Sequence, residues 1–133
     1  MLSNQEARTA LKAAKRIALV GISHNAGKTA NQIADYLVES GYEVIPVNPL
    51  LDEWKGREVY PDVASIPGHI DIVNVFRRPQ YLPGVAEDAV RHGDVGMIWN
   101  QLGLISREAS KTADAANIAY VEDRCIMVEH RYT

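Results

Sequence analysis

The sequence has little of the chemistry that most often marks an enzyme or a metalloprotein. Cys125 is the only cysteine in 133 residues, so neither an internal disulfide nor a zinc site of four cysteines can form. The four histidines are scattered without the spacing of a metal motif: His24, His69, His92 and His130. No spaced set of nucleophile, base and orienting acid can be recognised. The sequence therefore predicts neither catalytic nor metal-ligating residues.

An excess of positive charge and a long hydrophobic run are also missing. The formal net charge of −3 argues against a broad nucleic-acid or anionic-membrane surface, so a bound anion would have to meet a few local cations. No apolar stretch approaches the roughly 18 residues of a membrane span, and residues 1–16 do not resemble a signal peptide. With 133 residues and 47% hydrophobic content, the chain is expected to be one domain, residues 1–133. The single cysteine and the missing signal peptide and membrane span predict a cytoplasmic protein.

Apolar runs alternate with amphipathic stretches along most of the sequence. The runs predict strands at Ile17–Val20, Glu43–Val47, Asp71–Phe76, Val95–Trp99 and Ile118–Val121, with Cys125–Val128 as a candidate sixth. The amphipathic stretches predict helices at Asn4–Lys15, Thr29–Ser40, Pro79–His92 and Arg107–Asn117. Between them, Leu50–Pro67 is a long connection with a short turn near Asp62–Ile66. This alternation predicts a three-layer α/β fold with a mainly parallel sheet of five or six strands.

Ligands of such folds gather where the parallel strands end. The first strand ends in Gly21-Ile22-Ser23, just before the helix predicted at Thr29–Ser40. A buried strand that turns into a helix through a glycine brings unpaired backbone N–H groups to one point, beside the positive end of the helix dipole. The turn therefore predicts an anion site, and in an α/β chain the usual anion is a nucleotide phosphate.

Two nucleotide-binding fingerprints nearly match this turn, and both fail. The dinucleotide pattern G-x-G-x-x-G would need glycine in place of Ser23, and an acid in place of Asn48 to hold a ribose diol. The P-loop pattern ends correctly in Gly27-Lys28-Thr29 but has one residue too many after Gly21. Asp71 opens its strand, so no aspartate ends a later apolar strand to hold magnesium. NAD is disfavoured, and true P-loop behaviour is disfavoured more strongly.

Four short blocks carry a more specific resemblance: Gly41–Pro49, Asp71–Arg78, Trp99–Gly103 and Asp123–Cys125. In this order they resemble the small bacterial and archaeal CoA-binding domain proteins, which are stand-alone relatives of the CoA-binding domain of succinyl-CoA synthetase. The resemblance extends from about Leu11 to Tyr132. It implies a Rossmann-like domain that binds coenzyme A over the carboxyl edge of its sheet.

The resemblance, together with the position of each residue at that edge, yields a set of cofactor-binding candidates: Gly21, Ile22, Ser23, Lys28, Asn48, Pro49, Phe76, Arg77, Arg78 and Gln101. Lys28 stands where relatives commonly carry an arginine, which keeps a cation but not its bidentate fork. The prolines that relatives carry between His24 and Asn31 are missing, which predicts a more flexible loop.

The turn residues among these candidates also have a purely structural interpretation. Gly21 could serve only the tight turn from strand to helix. Ser23 could cap the helix instead of meeting a phosphate. Asn48-Pro49 could simply end a strand, because proline holds the preceding residue in an extended conformation.

Each remaining candidate also has a structural interpretation beside the ligand-binding one. Lys28 could be a solvated lysine, although a cation at a helix N-terminus is unfavourable unless an anion offsets it. Arg77 and Arg78 could pair with surface carboxylates, and Phe76 could belong to the core rather than stack on adenine. Gln101 could reach the ligand or only satisfy backbone groups in a turn.

The leading hypothesis from the sequence is a module that binds coenzyme A or a short acyl-CoA and has no chemistry of its own. It would not bind nucleic acid or membranes, and a homodimer through the sheet-flanking helices is plausible. One alternative is an enzyme that handles acyl groups or thioesters through Cys125 or His24. Another alternative is an NAD(P)-responsive regulatory domain.

Overall fold

Five strands form one parallel sheet in a computed structural model that describes all residues from Met1 to Thr133. They are β1 (Arg16–Val20), β2 (Glu43–Val47), β5 (Ile70–Val75), β6 (Val95–Asn100) and β7 (Ala119–Val121). Their order across the sheet is β2-β1-β5-β6-β7, and every neighbouring pair is parallel. Two further strands, β3 (Glu53–Trp54) and β4 (Arg57–Glu58), form a separate antiparallel hairpin.

Helices cover both faces of the sheet. They are α1 (Asn4–Ala13), α2 (Thr29–Glu39), α3 (Leu82–His92), α4 (Arg107–Ala115) and α5 (Ile126–Arg131), with a 3-10 turn at Pro79–Tyr81 before α3. Side chains of α1, α2 and α5 share one buried cluster with one face of the sheet, and those of α3 and α4 share another with the opposite face. The predicted three-layer, Rossmann-like α/β fold is therefore confirmed.

The strands read as unbroken apolar runs because both of their faces are buried. In β1, Ile17 and Leu19 enter the cluster beneath α1, α2 and α5, while Ala18 and Val20 enter the cluster beneath α3 and α4. Successive side chains of a strand point to opposite faces, so a strand covered on both sides has no polar alternation. This is why the sequence located these strands to within about one residue.

One predicted strand is wrong. The structure places the helix α5 where Cys125–Val128 was the candidate sixth strand, so the sheet has five of the five or six strands predicted. A four-residue apolar run does not distinguish a strand from a buried turn of helix. Here the helical spacing lets Ile126 enter the core, while Glu129 forms an ion pair of 2.9 Å with Arg8 of α1.

Each edge strand of the sheet is hydrogen-bonded to another segment of the chain. Beside β2, the backbone N–H of Tyr60 donates to the carbonyl of Pro46 at 3.0 Å, and the N–H of Asn48 donates to the carbonyl of Tyr60 at 2.9 Å. These bonds run the end of the long connection alongside β2. Beside β7, the N–H of Leu2 donates to the carbonyl of Tyr120 at 3.0 Å.

At the amino-terminal edge of the sheet, Arg16 joins several segments. Its Nε lies 3.2 Å from a carboxylate oxygen of Glu43, which begins the neighbouring strand β2. Its Nη1 donates to the carbonyls of Pro67 at 3.1 Å and His69 at 2.6 Å, just before β5. The Nε and Nη1 donors of the guanidinium are therefore engaged by the fold.

Asp71 and His69 complete this edge. One carboxylate oxygen of Asp71 accepts the N–H groups of Lys15 and Arg16, each at 2.9 Å. His69 lies between two carboxylates, 2.7 Å from Asp94 and 3.2 Å from Asp71. The hydrogen bond to Asp94, aided by both carboxylate charges, raises the pKa of His69. Burial alone would raise the pKa of Asp71, but its hydrogen bonds to the two backbone N–H groups and its contact with His69 outweigh this and lower it.

Candidate functional site

A cavity of about 750 Å³ opens at the carboxyl edge of the sheet, where β1, β2 and β5 end. The chain runs from β1 to β2 on one side and then crosses back to β5 on the other side of β1. Segments leaving β1 and β5 therefore diverge, and a crevice between them is the usual ligand site of an open α/β sheet.

Most of the candidates named from the sequence line this cavity: Gly21, Ile22, Ser23, Asn48, Pro49, Phe76, Arg77 and Arg78. Lys28 and Gln101 do not line it. Lys28 is exposed at the start of α2, and Gln101 is buried beyond the end of β6. The structure thus brings the ends of β1, β2 and β5 together and leaves these two residues apart from them.

Gly21 lies where the ends of three strands come close together. Its φ is +112°, and a Cβ at this position would lie 3.0 Å from the carbonyl oxygen and 3.1 Å from the Cβ of Phe76. Its N–H donates to the carbonyl of Val47 at 3.2 Å. Glycine is therefore required here by backbone conformation and by the approach of the neighbouring segment.

The turn after Gly21 is held by a buried side chain that the sequence reading did not single out. Asn31 on α2 is 3% exposed; its Oδ1 accepts the Ser23 N–H at 2.9 Å and its Nδ2 donates to the Ser23 carbonyl at 2.6 Å. An asparagine at an inward-facing position of an otherwise apolar helix face is the signal that could have revealed this contact.

Side chains of the loop itself satisfy several of its N–H groups. The Asn25 N–H donates to Ser23 Oγ at 3.0 Å, and the Gly27 N–H donates to Asn25 Oδ1 at 2.9 Å. The Lys28 N–H donates to the carbonyl of Asn25 at 3.1 Å. With the Ser23 N–H already bonded to Asn31, fewer free donors converge here than the strand-glycine-helix pattern predicted. The ligand's anionic groups would consequently depend more on side-chain cations.

Asn48 ties the turns after β1 and β2 together. Its Nδ2 donates to the carbonyl of Ile22 at 2.6 Å, and its Oδ1 accepts the N–H of Leu50 at 2.7 Å. Both ends of the amide are thus bonded to backbone on the border of the cavity. Pro49 and Leu50 follow as an exposed rim, with Leu50 89% exposed.

Three arginines line the cavity, and two of them have no carboxylate partner. Arg77 stacks over the ring of Tyr81, with its Cζ 4.2 Å from the ring centroid, and neither Arg77 nor Arg78 forms an ion pair. A third arginine, Arg91, was not predicted; its nearest carboxylate contact is 3.7 Å, to Asp88. The guanidinium groups of Arg77 and Arg78 therefore keep their donors available to an anion.

The wall formed by α3 and the segment after Tyr60 contains two acids. Asp88 accepts the N–H groups of Val63 at 2.7 Å and Ala64 at 3.1 Å, so both of its oxygens are bonded. Asp62 accepts the N–H of Ser65 at 2.9 Å and also its hydroxyl, both through Oδ1. The cavity therefore has two arginines without a carboxylate partner after β5, and two acids on the wall that includes Arg91.

Gln101 and Cys125 belong to the far end of the carboxyl edge. Gln101 Oε1 accepts the N–H of Ile126 at 3.2 Å and lies 3.4 Å from Nδ2 of Asn74. This is the backbone-satisfying role that was the alternative to ligand contact. Cys125 is half-buried against the core and does not line the cavity, and His24 is exposed on its loop.

Neither a metal-ligand cluster nor a membrane-spanning helix is found in the chain. No group of three or more His, Cys, Asp and Glu side chains converges in a way that could hold a metal ion. No helix is long and apolar enough to cross a membrane.

Comparison with known proteins adds independent information. A family model described as a CoA binding domain matches residues 15–131. The uncharacterized protein YneT of Bacillus subtilis is 40% identical over 131 residues, which cover 98% of this chain and 96% of YneT. A solved structure of a hypothetical protein from Pyrococcus horikoshii is 40% identical, covers 98% of this chain and 92% of that one, and superposes with a TM-score of 0.92.

A larger relative is also similar. The ADP-forming acetate–CoA ligase I of Archaeoglobus fulgidus is 26% identical over 121 residues, covering 84% of this chain. The match takes up only 18% of the ligase, so the chain corresponds to a small part of that enzyme.

Proposed function

Because the chain belongs to the family of CoA binding domains, we propose that it binds coenzyme A or a short acyl-CoA in the cavity at the carboxyl edge. The observation that carries the proposal is the meeting of Arg77 and Arg78, both without a carboxylate partner, with the Gly21–Ser23 turn in one cavity. In this proposal residues 1–133 act as one domain, in the cytoplasm.

The electrostatics of the cavity support a phosphorylated ligand. An unpaired guanidinium offers several N–H donors in a planar fork that matches two oxygens of a phosphate. The Tyr81 ring contacts the Arg77 guanidinium, and no carboxylate competes for the Arg77 donors. Adjacent arginines on this scaffold would neutralise the charge of a pyrophosphate without a bound metal ion.

The shape of the cavity supports a nucleotide-sized ligand. Its volume of about 750 Å³ lies within the range typical of small-molecule sites. The exposed Leu50 and the half-exposed Tyr81 both line it, so an apolar part of the ligand would cover side chains that now face water. Gly84 of α3 leaves open space along the same wall.

We assign binding rather than catalysis to this site. Cys125 lies outside the cavity, and His24 is exposed on a loop with no hydrogen-bonded partner for its ring. The ligase relative acts through a chain of which this sequence matches only a small part, so its activity is not carried over.

Isothermal titration of the full chain with CoA, dephospho-CoA and NAD tests the proposal. CoA should bind measurably, and the double variant R77A/R78A should lose most of this affinity. Arg107→Ala is the matched control, because Arg107 is an exposed arginine on α4 that forms no ion pair and lies outside the cavity. Absence of CoA binding, tighter binding of NAD, or an equal loss in R107A would each contradict the proposal.

A further inference from the structure

Asp62 supplies a carboxylate near the end of β2, where the sequence predicted none. In dinucleotide-binding folds an acid near the end of the second strand holds the ribose hydroxyls, and this chain has Asn48 there. The segment through Tyr60 runs parallel to the end of β2, and Asp62 follows two residues later, on the wall of the same cavity. The fold therefore supplies an acid beside β2 from a different part of the chain.

The two acids of the cavity differ in how far they are neutralised. Asp88 gives both oxygens to backbone N–H groups, its side chain is 13% exposed, and Arg91 lies 3.7 Å away. Asp62 is exposed, uses only Oδ1 in its contacts with Ser65, and forms no ion pair with an arginine. Its Oδ2 has no hydrogen-bond partner, and the residue lines the cavity.

Charge then orients an adenosine ligand. The phosphates belong at the Arg77 and Arg78 side, and hydroxyl donors belong at the acidic side next to β2. On the basis of the proposed function, we infer that Asp62 is a specificity-determining residue of the CoA site. It accepts a hydrogen bond from a ribose hydroxyl and penalises a phosphate at the ribose 3′ position.

CoA and dephospho-CoA differ only in that 3′-phosphate, so their affinity ratio measures the effect directly. Asp62→Asn removes the charge but keeps an oxygen that can still accept from Ser65. The variant should raise the affinity for CoA relative to dephospho-CoA by about threefold to tenfold, as expected for like charges several ångströms apart near a protein surface. Asp52→Asn is the matched control, because Asp52 is exposed nearby but does not line the cavity.

The same ratio measured in the unmodified protein gives a second test. Rising salt screens the repulsion, so the affinity for CoA relative to dephospho-CoA should rise more in the wild type than in D62N. A ratio that is unchanged in D62N, with both ligands still bound, overturns the role of Asp62 and leaves the proposed function standing. A failure of both ligands to bind the wild type overturns the proposed function and this inference together. Thermal unfolding of D62N verifies that the turn at Ser65 is intact.

Discussion

The two ends of the parallel sheet use their charged side chains in opposite ways. At the amino-terminal edge, Arg16 is bonded to Glu43 and to two carbonyls. Asp71 is bonded to His69 and to two backbone N–H groups, and His69 is also bonded to Asp94. At the carboxyl edge, Arg77 and Arg78 have no carboxylate partner, and Asp62 has one oxygen free.

This difference separates charges that serve the fold from charges that serve a ligand. A cation with several protein acceptors stabilises the segments that it joins, and little of its hydrogen-bonding capacity remains. A cation held in place beside a cavity without an acceptor retains that capacity for an anion. Breaking either edge should therefore affect different measurements, with stability responding at one edge and affinity at the other.

The largest effect is expected where the carboxyl edge is itself a packing site. Gly21→Ala forces a side chain into positive φ and against the backbone of Phe76, and should lower the free energy of unfolding by about 2–4 kcal/mol. Gly41→Ala shares the positive φ of +99° but meets no atom within 4 Å, so it should cost only about 1 kcal/mol. Urea denaturation gives both values, and equal losses would remove the steric part of the argument.

The next effect separates the two edges directly. Arg77→Ala and Arg78→Ala should each weaken CoA binding by about 1–3 kcal/mol, because each removes a charged hydrogen bond, and should leave the unfolding midpoint nearly unchanged. Arg16→Ala should do the reverse. With the 3′-phosphate on the Asp62 side of the cavity, each loss should be similar for CoA and dephospho-CoA in calorimetric titration. If R77A and R78A lose stability but not CoA affinity, these arginines serve the fold, as Arg16 does, and not the ligand.

A smaller effect on stability and affinity is expected from the turn that follows β1 and borders the cavity. Asn31→Ala removes the two hydrogen bonds that hold the backbone of Ser23, and should cost about 1–2 kcal/mol of stability. CoA affinity should fall as well, because the turn would then have to be ordered on binding. Lys28→Ala is the control on the same loop. Because Lys28 does not line the cavity, the K28A variant should bind CoA with nearly the affinity of the wild type. A larger loss in K28A than in N31A would contradict this.

The smallest expected effect is a pH dependence at the amino-terminal edge. The pKa of His69 is raised in the folded state, so its contribution to stability is fully present below its unfolded value of about 6.5 and is lost as pH rises through the folded value. The side chain is 52% exposed, which limits the size of this contribution. Urea denaturation between about pH 5.5 and 8.5 should show a decline in the wild type that is flatter in His69→Gln. CoA affinity should not follow the same curve.

The fold could largely be predicted from the sequence because its strands are buried on both faces and its helices carry continuous apolar stripes. The short elements could not. Strands of two residues, such as Glu53–Trp54, have too little pattern to detect, and the apolar run after Cys125 was compatible with a strand or a helix. Only tertiary contacts, such as that between Glu129 and Arg8, decide between them.

The site was predictable where it consists of residues next to strand ends. Gly21, Arg77 and Arg78 all line the cavity because parallel strands bring their carboxyl ends to one edge. Arg91 was missed because a polar residue on an amphipathic helix normally indicates a solvent-facing surface. Asp62 was missed as a cavity residue because the path of the long connection depends on backbone bonds between Tyr60 and β2.

Those backbone bonds have a consequence for association between molecules. A sheet with free outer strands invites another chain to add to it, which leads to fibrils or to swapped dimers. In this protein Tyr60 engages the outer side of β2, where Pro46 has no N–H to offer, and Leu2 engages the three-residue strand β7. A second copy could add a strand at either flank only by displacing these contacts, which favours self-assembly through the helices or loops.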